Sequence, residues 1–94
     1  MAVYAIVQVD VTDADAYGKY AELAGPAVAK YGGEFLARGG AVEVMEGETR
    51  ARCVLIRFPD MDTAKSFYNG PEYQEALSHA LPASTRDYKF VEGV

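Results

Sequence analysis

The sequence is short of the residues that make disulfides, metal sites and membrane spans. Its 94 residues include one cysteine, Cys53, one histidine, His79, and no tryptophan. One cysteine cannot form a disulfide within a chain, and a lone cysteine and a lone histidine on separate elements do not make a metal cluster. No apolar run approaches the roughly 20 residues that cross a membrane as a helix. We therefore expect neither a metal nor a membrane partner, and a cytoplasmic location is the default.

Basic residues are in the minority as well. The chain has 9 Lys and Arg residues against 14 Asp and Glu residues, which gives a net charge of −5. Nucleic acids require a basic face, so no nucleic-acid partner is expected. The pairs Gly32-Gly33 and Gly39-Gly40 do not match a phosphate-binding loop, and no cofactor is predicted. Two neighbouring arginines could still make a local site for a small anion.

What the sequence does contain is a repeated plan of a strand followed by a helix. Residues 3–10 alternate with a period of two, which predicts a strand with one aliphatic face. A helix should follow, with Thr12 as its cap. Gly25-Pro26 should kink or restart this helix, and Gly32 should end it. The second half predicts a strand at residues 34–38 that residues 41–45 extend beyond a bulge or sharp bend at Gly39-Gly40, and another strand at residues 52–58. Helices should follow, one capped by Asp60 or Asp62 and one over residues 71–80, and then a last strand at residues 88–94.

This order predicts the fold class. The elements follow the order strand, helix, strand, strand, helix, strand. This order gives two interleaved βαβ units, with no linker or domain boundary between them. We expect a single α+β domain over residues 1–94, with a ferredoxin-like βαββαβ arrangement. Its helices should cover one face of a four-stranded antiparallel sheet.

The face of the sheet opposite the helices is predicted to be too apolar to lie in water. An antiparallel sheet with one wet face should be polar there, and large exposed apolar patches usually mark an interface. We therefore expect two chains to pack sheet against sheet as a two-fold homodimer. The predicted residues of this face are Tyr4, Ile6, Gln8, Leu36, Leu55 and Phe90.

Two arginines are predicted to meet on the same face. A turn at Gly47-Glu48 would place Arg38 near Arg57, and the ferredoxin-like order would bring Gln8 beside Arg57. Crowded cations on a partly buried face need counter-charge, which Glu92, Asp10, a partner carboxylate or a bound anion could supply. Structural salt bridges across the dimer are one interpretation, and a ligand-binding site formed by Arg38, Arg57 and Gln8 is the other.

Candidate catalytic residues are few. His79, Glu92 and Tyr4 could act as acids or bases near such a site, but none comes with the orienting partner that a catalytic group requires. A histidine at a solvent-facing helix end is the simpler interpretation of His79. Cys53 reads as a small core residue.

A set of short motifs follows in order along nearly the whole chain. They are Lys30-Tyr31-Gly32-Gly33-Glu34-Phe35-Leu36-Ala37-Arg38-Gly39-Gly40, Glu46-Gly47, Phe58-Pro59, Ala64 with Phe67-Tyr68, Pro71-Glu72-Tyr73-Gln74 and Val91-Glu92-Gly93. These motifs are similar to those of a known family, the short bacterial proteins called domain of unknown function 1330. That family belongs to the dimeric α/β barrel superfamily, so the resemblance implies a ferredoxin-like fold and a sheet-to-sheet dimer. An arginine that members often carry in the helix is replaced here by Ala80, which puts any site lined by that arginine in doubt.

Two functions remain open. Relatives in that superfamily include cofactor-independent monooxygenases, isomerases, haem-handling enzymes and ligand-sensing domains, so fold does not fix function. One hypothesis is a dimeric barrel that binds a small anionic or phenolic molecule, with cofactor-independent chemistry. The alternative is a non-catalytic homodimeric binding or accessory module.

Overall fold

The chain forms one four-stranded antiparallel sheet and three α-helices. The structure, a computed structural model, describes all residues from Met1 to Val94. The elements are β1 (Val3–Val11), α1 (Ala14–Lys30), β2 (Glu34–Arg38), β3 (Arg52–Phe58), α2 (Met61–Asn69), α3 (Pro71–Ala80), a 3-10 turn (Leu81–Ala83) and β4 (Ser84–Glu92). The strands lie in the order β2-β3-β1-β4, which confirms the predicted ferredoxin-like fold.

Strand β1 is at the centre of the core. Its odd-numbered residues from Val3 to Val9 are at most 3% exposed, whereas the even-numbered ones are half-buried on the other face. Strict alternation of this kind places every second side chain on the helix-covered face of the sheet. Phe58, Phe67 and Tyr73 fill the space above it and are fully buried.

Helix α1 begins one residue later than predicted and runs without a break. Asp13, not Thr12, caps it, because the Asp13 carboxylate accepts a hydrogen bond from the Ala16 N–H at 3.2 Å. Pro26 lies inside a continuous helix, so the predicted restart at Gly25-Pro26 is wrong. Gly32 follows the helix end with φ of +74°, the left-handed conformation predicted for it.

The register of β2 differs from the prediction. The bulge lies between Phe35 and Ala37, not at Gly39-Gly40, and the strand ends at Arg38. Residues 41–45 form no strand within the chain. A bulge reverses the side on which the following residues point. Arg38 therefore pairs with Val54 on the helix-facing side of the sheet.

Strand β4 is longer than predicted and places its aromatic residues on the helix side. It begins at Ser84, opposite Val11, because the antiparallel pairing with β1 extends to the end of both strands. Phe90 pairs with Ala5, a fully buried residue of the helix-facing side. The prediction that Phe90 lies on the opposite face is therefore wrong.

We call the side of the sheet away from the helices the open face. The open face carries Tyr4, Ile6 and Gln8 from β1, Cys53, Leu55 and Arg57 from β3, and Asp87, Lys89 and Val91 from β4.

None of the helices is long and apolar enough to span a bilayer.

Candidate functional site

A small, partly enclosed cavity lies between α1 and the helix-facing side of the sheet. Its volume is about 40 Å³, and 11 of its 13 lining residues are hydrophobic. The two others are arginines, Arg38 and Arg52. A space of this size holds a few water molecules, which need about 10–15 Å³ each. The cavity is thus an apolar space with cations on its wall.

The strand register explains why the arginines gather there. Arg52 of β3 and Arg86 of β4 both pair with Val9, one from each side of β1. In the adjacent row, Arg38 of β2 pairs with Val54. Because these positions share the helix-facing side, three of the five arginines of the chain lie over the same end of the sheet.

Arg86 is held by tyrosines. Its guanidinium donates to the Tyr20 hydroxyl and to the Tyr73 hydroxyl, each at 2.9 Å, and these two hydroxyls lie 3.0 Å apart. The guanidinium also lies 4.6 Å from the centre of the Tyr20 ring, within cation–π range. Arg86 Nε and the Tyr88 hydroxyl are buried without a hydrogen-bond partner in the protein. We call Arg86 and the tyrosines around it, Tyr20, Tyr73 and Tyr88, the cluster. One buried N–H and one buried hydroxyl of the cluster therefore have no hydrogen-bond partner within the protein.

The tyrosines of the cluster are neutral at physiological pH. Burial raises the pKa of Tyr20, Tyr73 and Tyr88 above the ordinary value of a phenol. Burial likewise raises the pKa of Tyr17, against the opposing effect of Arg86 and Arg52. Protonated phenols donate hydrogen bonds to an anion and do not act as bases.

The two arginines of the cavity wall are placed by glycines and an aromatic ring. Arg38 stacks on Phe35 with its guanidinium carbon 4.2 Å from the ring centre. Arg52 lies where a side chain at Gly39 would be, because a Cβ there would come within 2.3 Å of the Arg52 guanidinium. Gly39 also has φ of +74°, which disfavours any other residue.

No carboxylate balances these three cations. The salt bridges of the chain are Lys30 with Glu72, and Arg50 with Asp10 and Asp87. Arg38, Arg52 and Arg86 have no carboxylate oxygen within the 4.0 Å that defines such a pair. Arg52 and Arg86 are partly buried, whereas Arg38 is exposed. A partly buried cation without counter-charge is costly, so the arrangement favours an anion at this place.

The site predicted from the sequence does not form. Arg57 pairs with Glu34 and Tyr4 on the open face, while Arg38 lies on the helix-facing side. Gln8 pairs with Cys53, further along the sheet from Arg57. The prediction that Arg38, Arg57 and Gln8 are neighbours is therefore wrong. The bulge in β2 turns Arg38 to the helix-facing side, and the register between β1 and β3 places Tyr4, not Gln8, opposite Arg57.

The predicted catalytic candidates are scattered. His79 lies half-buried in the last turn of α3, and Tyr4 is on the open face. Glu92 ends β4 as an exposed residue opposite Val3. None of the three lines the cavity. Ala80, where the resemblance implies an arginine in relatives, is fully buried in the core.

Sequence reasoning missed Arg52, Arg86 and the tyrosines around them. Tyr17, Tyr20 and Tyr73 lie at core spacing on their helices, and the hydroxyls of Tyr20 and Tyr73 meet only because α1 and α3 pack together. Arg86 shares the parity of Tyr88, so its place on the aromatic side was a signal in the sequence. No group of three His, Cys, Asp or Glu residues is arranged to hold a metal ion.

The fold and the interleaved βαβ topology define a ferredoxin-like protein. The family model for "Domain of unknown function (DUF1330)" matches residues 2–94, and the chain belongs to this family. The resemblance read from the sequence motifs is thereby confirmed. No curated protein matches the chain.

Three solved structures illustrate the range of similar proteins. The RPA0582 protein of unknown function from Rhodopseudomonas palustris is 18% identical, with a TM-score of 0.81 over 99% of this chain and 82% of that one. A dimeric ferredoxin-like protein of unknown function from Jannaschia sp. CCS1 is 13% identical, with a TM-score of 0.78 over 99% and 100%. SnoaB, a cofactor-independent oxygenase from Streptomyces nogalater, is 14% identical, with a TM-score of 0.61 over 99% and 93%. At these identities the likeness establishes the fold.

Proposed function

We propose that this protein binds a small organic anion in the cavity between α1 and the sheet. The observation that carries the proposal is an apolar cavity that Arg38 and Arg52 line, with no carboxylate in salt-bridge contact with either. Arg86 adds a third cation next to the cavity, because it donates to the hydroxyls of two lining residues, Tyr20 and Tyr73. Guanidinium groups bind carboxylates and other oxyanions with two parallel hydrogen bonds. The hydrophobic lining suits an apolar body attached to that anionic group.

The size of the cavity restricts the ligand. A volume of about 40 Å³ is well below the roughly 300 Å³ of a site for a drug-sized molecule. A carboxylate or phenolate with a short apolar body is therefore the ligand class, and its body must displace a wall residue. Arg38 is the exposed member of the wall, and it stacks on Phe35 without a hydrogen bond or salt bridge to hold it in place.

The chemistry of the cavity favours binding over proton abstraction. Its lining contains no histidine and no carboxylate, and its tyrosines stay protonated. A reaction there would use a ligand that enters as an anion, with tyrosine hydroxyls as donors to the developing charge. SnoaB is a cofactor-independent oxygenase of the same fold, and that class of chemistry is the catalytic form of the proposal. Because the cavity contains no residue that could act as a base, the second candidate function is a non-catalytic binding module.

The homodimer is the assembly in which we expect this site to operate. Similar structures are described as dimeric, including a ferredoxin-like protein from Bacteroides fragilis. The open face exposes apolar side chains, with Leu55 at 37% and Val91 at 45% exposure. Pairing the open faces of two chains would cover them and leave the cavity on the outer, helix-covered side.

A thermal-shift screen tests the proposed binding. Small carboxylates and phenols, with benzoate as the first probe, should raise the Tm of the wild-type protein. A ligand at about ten times its Kd stabilises by about 1.4 kcal/mol, which corresponds to a rise of about 5–10 °C for a domain of this size.

Two arginine variants locate the binding. Arg38→Ala should lose most of the shift, whereas Arg57→Ala, which changes an exposed arginine on the open face, should keep it. No shift with any compound, or equal shifts in both variants, contradicts the cavity as the site.

A further inference from the structure

A segment of chain between β2 and β3 makes no backbone hydrogen bond with the rest of its own fold. We call residues 40–48 the arm. The backbone of the arm makes no hydrogen bond within the chain. The last bond before it joins the Gly39 N–H to the Cys53 carbonyl at 3.0 Å, and the first after it joins the Ala51 N–H to Asp10 at 2.9 Å.

The arm nevertheless has the composition of a strand. Its apolar residues are exposed to water, Val42 at 42%, Val44 at 51% and Met45 at 86%. Valine is enriched in strands, and the alternation of Val42, Glu43 and Val44 has the period of a pleated sheet. A segment of this kind with free backbone groups is a ready partner for another strand.

We propose that the arm forms a strand only against a second copy of this chain. This inference rests on the homodimer proposed above and adds to it the segment that completes the interface. The base of the arm lies at the open face, because Arg50 binds Asp10 at 3.0 Å and Asp87 at 2.8 Å. The C-terminal end of the arm is therefore continuous with the surface on which the second copy packs.

Charge complementarity favours a second copy as the occupant. The arm carries three carboxylates, Glu43, Glu46 and Glu48, and none of them makes a salt bridge within the chain. The open face carries two cations, Arg57 and Lys89, that also lack a carboxylate partner. In a two-fold dimer each arm would bring its acids to the open face of the other copy.

The arm also connects the interface to the cavity. Arg38 precedes it and Arg52 follows it, and both line the cavity. Pairing of the arm with a second copy therefore fixes the two strand ends that carry these arginines. Loss of the pairing should leave the fold intact and loosen the mouth of the cavity.

Hydrogen exchange of the arm amides tests the proposal on the unmodified protein. Light scattering first establishes the concentration at which the mass is twice the 10.2 kDa of one chain. At that concentration the amides of residues 42–45 should exchange at least tenfold more slowly than in an unstructured peptide, and the protection should fall on dilution to monomer. Unprotected amides in a stable dimer overturn the arm pairing alone. A monomer at micromolar concentration overturns the dimer and the arm pairing together.

A proline variant provides the second measurement. Val44→Pro removes an N–H that has no partner within the chain, so the monomer should fold as before, but a proline cannot donate to a ladder. It should weaken dimerisation at least tenfold, while the control Val44→Thr, which keeps a β-branched residue, should stay close to wild type. Circular dichroism checks the fold of both. Equal dimer affinity of Val44→Pro and wild type contradicts the proposal.

Discussion

Arg86 is the residue whose position is hardest to explain by stability alone. Its guanidinium is partly buried among aromatic rings and bonds only to neutral hydroxyls. Burial penalises a charge that has no opposite charge beside it, and an apolar residue of similar volume often serves the fold as well or better. A residue that costs stability where it stands is usually kept for function.

The variant Arg86→Met separates these two roles. We expect the free energy of unfolding to stay within about 1 kcal/mol of wild type or to rise, because the buried charge is removed while the Tyr20–Tyr73 hydrogen bond remains. The Tm rise produced by benzoate should disappear. Chemical denaturation and thermal shift measure the two effects. A loss of more than about 2 kcal/mol with an intact response to benzoate would make Arg86 a structural residue.

At the scale of elements, the turn out of β2 connects the fold to the site. Gly39 combines a left-handed backbone with a place for the Arg52 guanidinium, whereas Gly40 has neither constraint. The positions are adjacent and chemically identical, so they form a matched pair. Only the first should be sensitive to a side chain.

Gly39→Ala should lower the free energy of unfolding by about 1–2 kcal/mol, because an alanine in the left-handed region is strained. It should also weaken anion binding, since the new methyl group displaces Arg52. Gly40→Ala should be within about 0.5 kcal/mol of wild type. Urea denaturation of the two variants measures the difference. Equal stabilities would mean that the turn does not hold this conformation in solution.

The carboxylate that caps α2 predicts that the stability of the protein depends on pH. Asp60 accepts a hydrogen bond from the Thr63 N–H at 2.7 Å, and this bond is the main reason that its pKa lies below 3.8. A carboxyl whose pKa is lowered by folding stabilises the protein above its unfolded-state pKa, and the contribution is lost as the pH falls through the folded-state value. The helix cap should therefore weaken below about pH 4.

Asp60→Asn isolates this contribution, because asparagine also caps helices but does not titrate. The urea midpoint of the wild type relative to Asp60→Asn should decrease as the pH falls from about 5 to 2. Other carboxylates with lowered pKa values, Asp10 and Glu72, are common to both proteins and cancel in the comparison. A difference that does not change with pH contradicts the role assigned to Asp60.

The element order could be predicted from the sequence because periodicity and capping are local. The alternation in β1, the cap at Asp60 and the proline that begins α3 all act within a few residues of themselves. The bulge in β2 could not be predicted, because a single extra residue depends on how β3 and the helices pack. That one residue moved Arg38 to the other side of the sheet.

At the scale of the whole molecule, the two faces of the sheet have different tasks. The helix-facing side holds the core and, at one end, an apolar cavity that two arginines line and a third approaches through its tyrosine partners. The open face carries Leu55 and Val91 together with unpaired charges, and the arm extends from its edge. The sequence predicted the fold and the need for a partner, since both follow from the pattern of apolar residues. It did not predict the site, which depends on contacts between α1, α3 and β4.

The side-chain NMR signals of the five arginines provide the most direct test of the anion site. Their guanidinium Nε–H resonances can be followed in one titration of the wild-type protein with benzoate. We predict saturable shifts for Arg38 and Arg52, which line the cavity, and for Arg86, which donates to the lining residues Tyr20 and Tyr73. No shift is expected for Arg50 and Arg57, which lie at the open face. Shifts at Arg50 and Arg57 without any at the other three, or no shift at all with every small carboxylate and phenol, would contradict the cavity as an anion-binding site.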